Sequence, residues 1–150
     1  MIISFLGDSI TEGVGATSRE NRFSSILCRK VGAVEENYGL SGTRIARQRV
    51  HYGEEKVCFI LPSPRYSQDF PNNNGVKTRG NYPTLEGYRE VMRDVLSSYR
   101  FDTLELKALP DHPKQGPSEF YKVGLHPNDK GHEAIVEELY RYLQKKGLAH

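Results

Sequence analysis

Apolar residues occur along the chain as short continuous runs separated by longer segments in which they recur every three or four positions. Residues 2–6 form a run of strand length that ends at Gly-Asp-Ser, which predicts a strand buried on both faces. Residues 57–61 form a second all-apolar run, stopped by Pro62. Two further strands are predicted over residues 33–38 and 101–106.

Three segments carry the spacing of an amphipathic helix. The first is predicted to be capped by Thr17 or Ser18 and to end near Gly32, and the last to be capped by Asn128 or Asp129. The predicted helices and their core-facing residues are 18–31 with Phe23, Ile26, Leu27 and Val31, 84–99 with Tyr88, Val91, Met92, Val95 and Tyr99, and about 129–146 with Ile135, Val136, Leu139 and Leu143.

Strands that alternate with helices predict an α/β domain with a mainly parallel sheet. The length of 150 residues fits one domain over residues 1–150. The hydrophobic share of 37% is thin for this length, but it is that of a folded chain rather than a disordered one.

Charge and hydropathy exclude several classes of protein. The 21 basic and 19 acidic residues are interspersed, so no basic surface for nucleic acid or membrane is predicted. No apolar run approaches the roughly 18 residues of a membrane span. The apolar start lacks a basic flank and is predicted to be a strand rather than a signal peptide, so we expect a cytoplasmic protein.

The two cysteines, Cys28 and Cys58, lie 30 positions apart without a metal-binding spacing. We expect buried free thiols, with a disulfide as the weaker alternative. Histidines and carboxylates do not cluster at ligand spacings, and no glycine-rich phosphate loop follows a strand. The sequence therefore predicts neither a metal nor another cofactor.

Residues 7–11, Gly-Asp-Ser-Ile-Thr, are the sharpest local motif. They place Ser9 at the carboxyl end of the first strand, where open α/β sheets bind ligands and where backbone N–H groups can hold an anionic oxygen. The motif therefore indicates a nucleophilic serine, with an ordinary Asp/Ser helix cap as an equally weighted alternative.

A second motif, residues 124–129, precedes the last helix. Pro127 biases His126 away from helical geometry, so the imidazole is held in a short loop. A serine nucleophile needs such a base. For a lone histidine the alternative, a surface residue, would be favoured. His132 is predicted to be structural or capping.

Together these motifs resemble the SGNH, or GDSL-type, esterase and acylhydrolase superfamily. Residues 7–11 look like its first block, which carries the nucleophile, and residues 37–43 look like its second block, whose glycine donates to an oxyanion hole. Residues 124–132 look like its last block, which carries the base. The resemblance spans nearly the whole chain and implies a small flavodoxin-like three-layer α/β/α fold.

The resemblance implies a role for each matching residue. Ser9 would be the nucleophile and His126 the base, and the N–H groups of Ser9 and Gly42 would hold the oxyanion. Asp8, Arg65 and Tyr66 are candidates for the border of the substrate site, the last two within a proline- and asparagine-rich loop over residues 62–83.

The chain departs from the family pattern at two points. The third block, Gly-x-Asn-Asp, does not occur, so an oxyanion donor and one central strand are missing. The strands over 2–6 and 57–61 must then pair directly or leave a gap that a second copy of the chain fills. In the last block, Val123 stands where the family has the aspartate that orients the histidine. Alternatives for that role are Asp129, Asp111, Glu119 and a backbone carbonyl.

Two functions from different classes follow. The first is a serine esterase that cleaves a small acyl or acetyl ester, including one on a carbohydrate, with reduced activity. The second is a degenerate, non-catalytic domain that binds such a ligand. A third hypothesis is a chain internally shortened relative to active enzymes.

Overall fold

A computed structural model describes residues 1–42, 57–61, 85–99, 101–106, 119–123 and 126–150. No helix in these ranges is long and apolar enough to cross a membrane. The elements are β1 Ile2–Gly7, α1 Ser9–Glu12, a 3-10 turn Arg19–Asn21, α2 Phe23–Val31, β2 Val34–Gly39, β3 Cys58–Leu61, α3 Leu85–Ser98, β4 Asp102–Glu105, β5 Tyr121–Val123, β6 His126–Pro127 and α4 Asp129–Lys145.

The strands form two parallel pairs and one antiparallel pair. β1 pairs with β2 from Ile2 opposite Val34 to Gly7 opposite Gly39. β3 pairs with β4 in the same sense, and β5 pairs with β6 as a hairpin. Parallel neighbours need a crossover connection, which α2 and α3 supply. The predicted α/β class is confirmed, and within the described residues its parallel strands form small two-stranded sheets.

The main core lies where α2 and α4 pack against one face of β1. Phe5 meets Phe23 edge to face, with ring centroids 5.7 Å apart. The helical spacing predicted the inner faces of both helices correctly. The buried residues of this cluster are Phe5, Phe23, Leu27, Cys28, Ile135, Val136 and Leu139.

The prediction that the first strand is buried on both faces is wrong. Phe5 is 8% exposed, whereas Ile2 is 62% exposed and its cross-strand partner Val34 is 63% exposed. The physical reason is that the core cluster built by α2 and α4 lies on the Phe5 side of the β1–β2 pair. β1 therefore has one buried face.

The predicted core-facing stripe of the second amphipathic helix is also wrong, although α3 itself is present. Its residues Tyr88, Val91, Val95 and Tyr99 are 49–70% exposed. Arg89 and Leu96 are buried instead, because α3 turns its arginines toward β4. Arg89 Nη2 lies 2.9 Å and Arg93 Nε 2.7 Å from the Glu105 carboxylate. The hydrogen bond from Arg93, and to a smaller extent the one from Arg89, lowers the pKa of Glu105 to about 2.

The start of α2 differs from the prediction as well. The predicted start at residue 18 is replaced by the 3-10 turn, and α2 begins at Phe23 without a capping side chain on Arg22. The Phe23 N–H instead donates to His132 Nδ1 of α4, at 3.2 Å. The predicted stop is confirmed, because Gly32 adopts the left-handed conformation at the carboxyl end.

His132 is a fully buried, neutral histidine, in agreement with its predicted structural role. Its ring stacks on Phe23, with centroids 6.1 Å apart. Burial lowers its pKa from 6.5 to about 4; the nearby His126 lowers it further, while the Val14 backbone and Asp129 oppose the shift. Because Nδ1 accepts from Phe23, the ring proton is assigned to Nε2.

Stability is expected to fall as pH drops from 6.5 toward 4, because the unfolded chain gains a proton on His132 that the folded chain does not. The full loss is about 3 kcal/mol, at about 1.4 kcal/mol for each pH unit. Urea unfolding between pH 7 and 4.5 measures it, and comparison with a His132 variant removes the contribution of the carboxylates, which also titrate at the lower end of this range. His132→Asn keeps an acceptor for Phe23 and should flatten the slope, whereas an unchanged slope would contradict the assignment.

Both cysteines are free, and Cys28 is buried in the core, as predicted. Burial raises the pKa of the Cys28 thiol to about 11, with Glu35 adding to the effect. Cys58 is half-buried, and burial raises the pKa of its thiol too. The alternative of a disulfide between them is wrong.

Candidate active site

Ser9 is the first residue of α1, directly after β1. The Asp8 carboxylate caps this short helix by accepting from the Ile10 N–H at 3.0 Å, and Gly13 ends it with a φ of 100°. The capping interpretation of the Gly-Asp-Ser motif is confirmed for Asp8, and Ser9 lies at the strand end, where its role as nucleophile stays a prediction. The structure assigns Asp8 this capping contact and leaves its predicted place at the substrate border a prediction.

His126 lies in the hairpin β5–β6, and its Nε2 is 3.0 Å from Ser9 Oγ. Both side chains are half-buried. The distance is that of a hydrogen bond between the serine hydroxyl and the imidazole, and the hydroxyl donates when the ring proton is on Nδ1. The structure thus brings together the two residues that the motifs singled out, from positions 117 residues apart.

The hairpin that carries His126 was predicted as loop. Its only sequence signal is the short apolar–polar alternation of residues 120–123, which is below the length that indicates a strand. Val123 is the cross-strand partner of His126. The register shifts between Tyr121 and Val123, and the pairing places positions 123 and 126 across the hairpin from one another in the backbone.

Close backbone contacts hold this hairpin. A Cβ on Gly15, which has a φ of 105°, would overlap the Pro127 carbonyl, and one on Gly131 would overlap the Phe120 carbonyl. Asn128, the predicted cap of α4, accepts from the Gly131 N–H at 3.1 Å and donates through its own N–H to Phe120 at 3.0 Å. His126 is therefore positioned by packed backbone on both sides.

The Asp129 carboxylate ties α4 to the loop after α1. It accepts from the Thr17 N–H at 2.8 Å, the Thr17 hydroxyl at 2.6 Å and Asn21 Nδ2 at 3.0 Å. The hydrogen bonds from Thr17 lower the pKa of Asp129. Asp129 therefore joins the segments that carry Ser9 and His126, and its carboxylate is occupied by Thr17 and Asn21.

None of the carboxylates in the described ranges hydrogen-bonds to the second ring nitrogen of His126. Glu119, another candidate, pairs with Lys130 at 3.1 Å. Asp111 lies outside the described residues. Val123 is the residue paired with His126 in the hairpin backbone.

The turn after β2 docks on α1. Asn37 Nδ2 donates to the Thr11 carbonyl at 2.7 Å, and its Oδ1 accepts from the Gly39 N–H at 2.9 Å. The Leu40 N–H donates to the Gly7 carbonyl at 3.1 Å. A Cβ on Gly39 would overlap the backbone of Thr11 and Glu12, so only glycine permits this approach. The second predicted block thus lies beside the nucleophile.

Two backbone amides near Ser9 are already engaged. The Ile10 N–H donates to Asp8, and the Ser41 N–H donates to Glu12. The Ser9 and Gly42 N–H groups have no acceptor within the part of the chain that the structure describes. Gly42 has a φ of 76°, which favours glycine. These two amides are the ones that the motifs indicated as oxyanion donors.

Other predicted site features have a different outcome. Arg65 and Tyr66 lie outside the described residues. Within the described ranges no three His, Cys, Asp or Glu side chains group as metal ligands would. A surface cleft of about 370 Å³ lies beside α2, where Arg22, Cys28 and Glu35 are among its lining residues, and it includes neither Ser9 nor His126.

Comparison with known proteins gives a structural match without a sequence match. No model of a protein family and no curated protein sequence matches the chain. A member of the lipolytic protein G-D-S-L family from Veillonella parvula superposes with a TM-score of 0.70 at 13% identity, over 96% of this chain and 98% of that chain. A protein from Lactobacillus plantarum superposes with a TM-score of 0.62 at 17% identity, over 95% of both chains.

A two-domain esterase active on acetylated mannans, co-crystallized with mannopentaose, matches with a TM-score of 0.60 at 16% identity. The match covers 97% of this chain and 49% of the esterase, so the chain spans about half the length of that protein. The chain therefore has the α/β fold of the SGNH or GDSL-type esterases and lipolytic proteins.

Proposed function

We propose that the protein is a serine esterase of the SGNH type, acting on small acyl or acetyl esters through a dyad of Ser9 and His126. The observation that carries the proposal is the 3.0 Å contact between Ser9 Oγ and His126 Nε2 at the carboxyl end of a parallel strand. Nucleophile and base within hydrogen-bond reach are the signature of covalent catalysis by serine.

The proposed reaction has two similar halves. Ser9 Oγ attacks the ester carbonyl while His126 Nε2 accepts the hydroxyl proton, and the carbonyl oxygen becomes an anion held by the Ser9 and Gly42 N–H groups. The C–O bond to the alcohol then breaks, and the alcohol takes the proton from His126. Water repeats the sequence on the acyl-serine, which releases the acid and restores Ser9.

Reduced activity follows from what the described site contains. Loss of one oxyanion donor costs about 10²–10³ in kcat, and loss of the orienting aspartate about 10⁴. Val123, opposite His126, cannot stabilise an imidazolium. The backbone contacts around Gly15 and Gly131 fix the hairpin position without supplying that charge.

For the substrate, we propose acetylated carbohydrates among small esters. The activity of one structural neighbour on acetylated mannans supports this class. The half-buried Ser9 and His126 are consistent with access for an acetyl group on a larger, solvated molecule.

The proposal is tested by labelling with a serine-directed fluorophosphonate. Attack by Ser9 forms an O–P bond and expels fluoride, which intact-mass spectrometry detects as one adduct. We expect one adduct on the natural chain and none on Ser9→Ala. An exposed serine of α3, Ser98, provides the matched control, since Ser98→Ala should label normally.

The alternative function is a non-catalytic domain that binds an acyl or carbohydrate ligand. The observation that favours it is the lack of a carboxylate on His126 within the described residues. An unlabelled Ser9, together with ester turnover no higher than that of Ser9→Ala, would support this alternative and overturn the esterase.

A further inference from the structure

Glu12 lies at the end of α1, three residues after Ser9, and its carboxylate reaches the turn that follows β2. Oε2 accepts from the Ser41 N–H at 2.7 Å and also from the Ser41 hydroxyl. These two bonds connect the helix of the nucleophile directly to the residue before Gly42.

Several contacts anchor the start of this turn, and among the described residues Glu12 anchors its end. Asn37, Gly39 and Leu40 are held by the backbone of residues 7–12. Beyond Leu40, the Glu12 carboxylate is the only hydrogen-bond partner of Ser41 within the described residues, and Gly42 has none. Both residues are exposed, so packing does not fix them.

We infer that Glu12 is a positioning residue, which fixes the Ser41–Gly42 turn against α1 so that the Gly42 N–H is kept as an oxyanion donor. By accepting both donors of Ser41, Glu12 fixes the Leu40–Ser41 peptide plane and the Ser41 side chain, which directly precede the Gly42 amide. Preorganised donors stabilise a developing anion without reorganising during the reaction. This inference rests on the proposed esterase function.

The charge of Glu12 is consistent with this role. Hydrogen bonds from Ser41 lower its pKa, and Arg19 adds a smaller effect. The carboxylate is therefore ionised throughout the neutral range.

The test compares Glu12→Ala, Glu12→Gln and Ser41→Ala with the natural chain. In Glu12→Ala we expect kcat per labelled active site to fall about 10-fold with KM nearly unchanged, because a displaced donor affects the transition state. Glu12→Gln keeps one acceptor oxygen and should restore part of kcat. Ser41→Ala combined with Glu12→Ala should cost no more than Glu12→Ala alone, because the two residues act as one unit.

A second measurement follows the turn without turnover. Hydrogen exchange at the Ser41 amide should accelerate in Glu12→Ala and stay slow in Glu20→Gln, an exposed carboxylate of the 3-10 turn. Faster exchange with unchanged kcat would overturn the positioning role and leave the esterase proposal intact. An unchanged exchange rate at the Ser41 amide would show that the Glu12 carboxylate does not hold Ser41 in solution. If hydrolysis does not depend on Ser9, the esterase proposal fails, and this inference fails with it.

Discussion

Ser9→Ala and His126→Gln are each expected to lower kcat for hydrolysis of a chromogenic acetate ester by about 10²-fold. In an intact triad, loss of serine or histidine costs about 10⁶ and loss of the aspartate alone about 10⁴. The serine and histidine of a dyad without the carboxylate therefore still raise kcat by about 10²-fold over a variant that lacks one of them. The two residues touch at 3.0 Å and act as a unit, so the double variant should be no slower than either single variant.

Matched controls distinguish the dyad from general damage. His150→Gln alters an exposed histidine at the carboxyl terminus, and Ser98→Ala an exposed serine of α3. Both should retain the natural rate. Additive losses in the double variant would show that Ser9 and His126 act independently, and a natural rate in Ser9→Ala would show that the nucleophile lies elsewhere.

Val123→Asp is expected to raise kcat by about 10²-fold, part of the roughly 10⁴ that an orienting aspartate supplies in a serine triad. The backbone pairing of the β5–β6 hairpin is the reason, because position 123 pairs with His126 next to a register shift. A carboxylate there would accept from the second ring nitrogen and stabilise the imidazolium formed when Ser9 loses its proton. Steady-state kinetics on the same ester measures the gain.

The matched control is Val123→Asn, which has the same shape as aspartate without its charge and should give little gain. The gain should also disappear in a His126→Gln background, since it acts through the imidazole. An increase that persists without His126 would contradict the assignment, and so would an equal increase with asparagine.

The site could be predicted from sequence to the extent that it is local. Ser9 follows an apolar run directly, and His126 is fixed by a neighbouring proline and a capped helix, so each motif indicated its own geometry. The contact between them depends on pairing across 117 positions, which no local pattern shows. The resemblance of the whole set of motifs to a known family supplied that link.

Elements set by distant partners were predicted less well. The apolar spacing of α3 predicted that one side of the helix faces the core. A different side is turned inward, because Arg89 and Arg93 both pair with Glu105 of the next strand. The cap of α2 comes from His132 of another helix, and no residue near Phe23 signals it. Glu12 was missed because its partner Ser41 lies 29 residues away.

The bond between Thr17 and Asp129, described above as a tie between two site segments, also has a consequence for folding order. It joins residues 112 positions apart, and the Phe23–His132 and Ser9–His126 contacts span 109 and 117 positions. Contacts between residues so far apart in sequence have the largest entropic cost of loop closure, and they form slowly. A nascent or refolding chain would therefore hold β1 and α1 well before it holds an imidazole beside Ser9, and serine reactivity would appear only as the last helix docks.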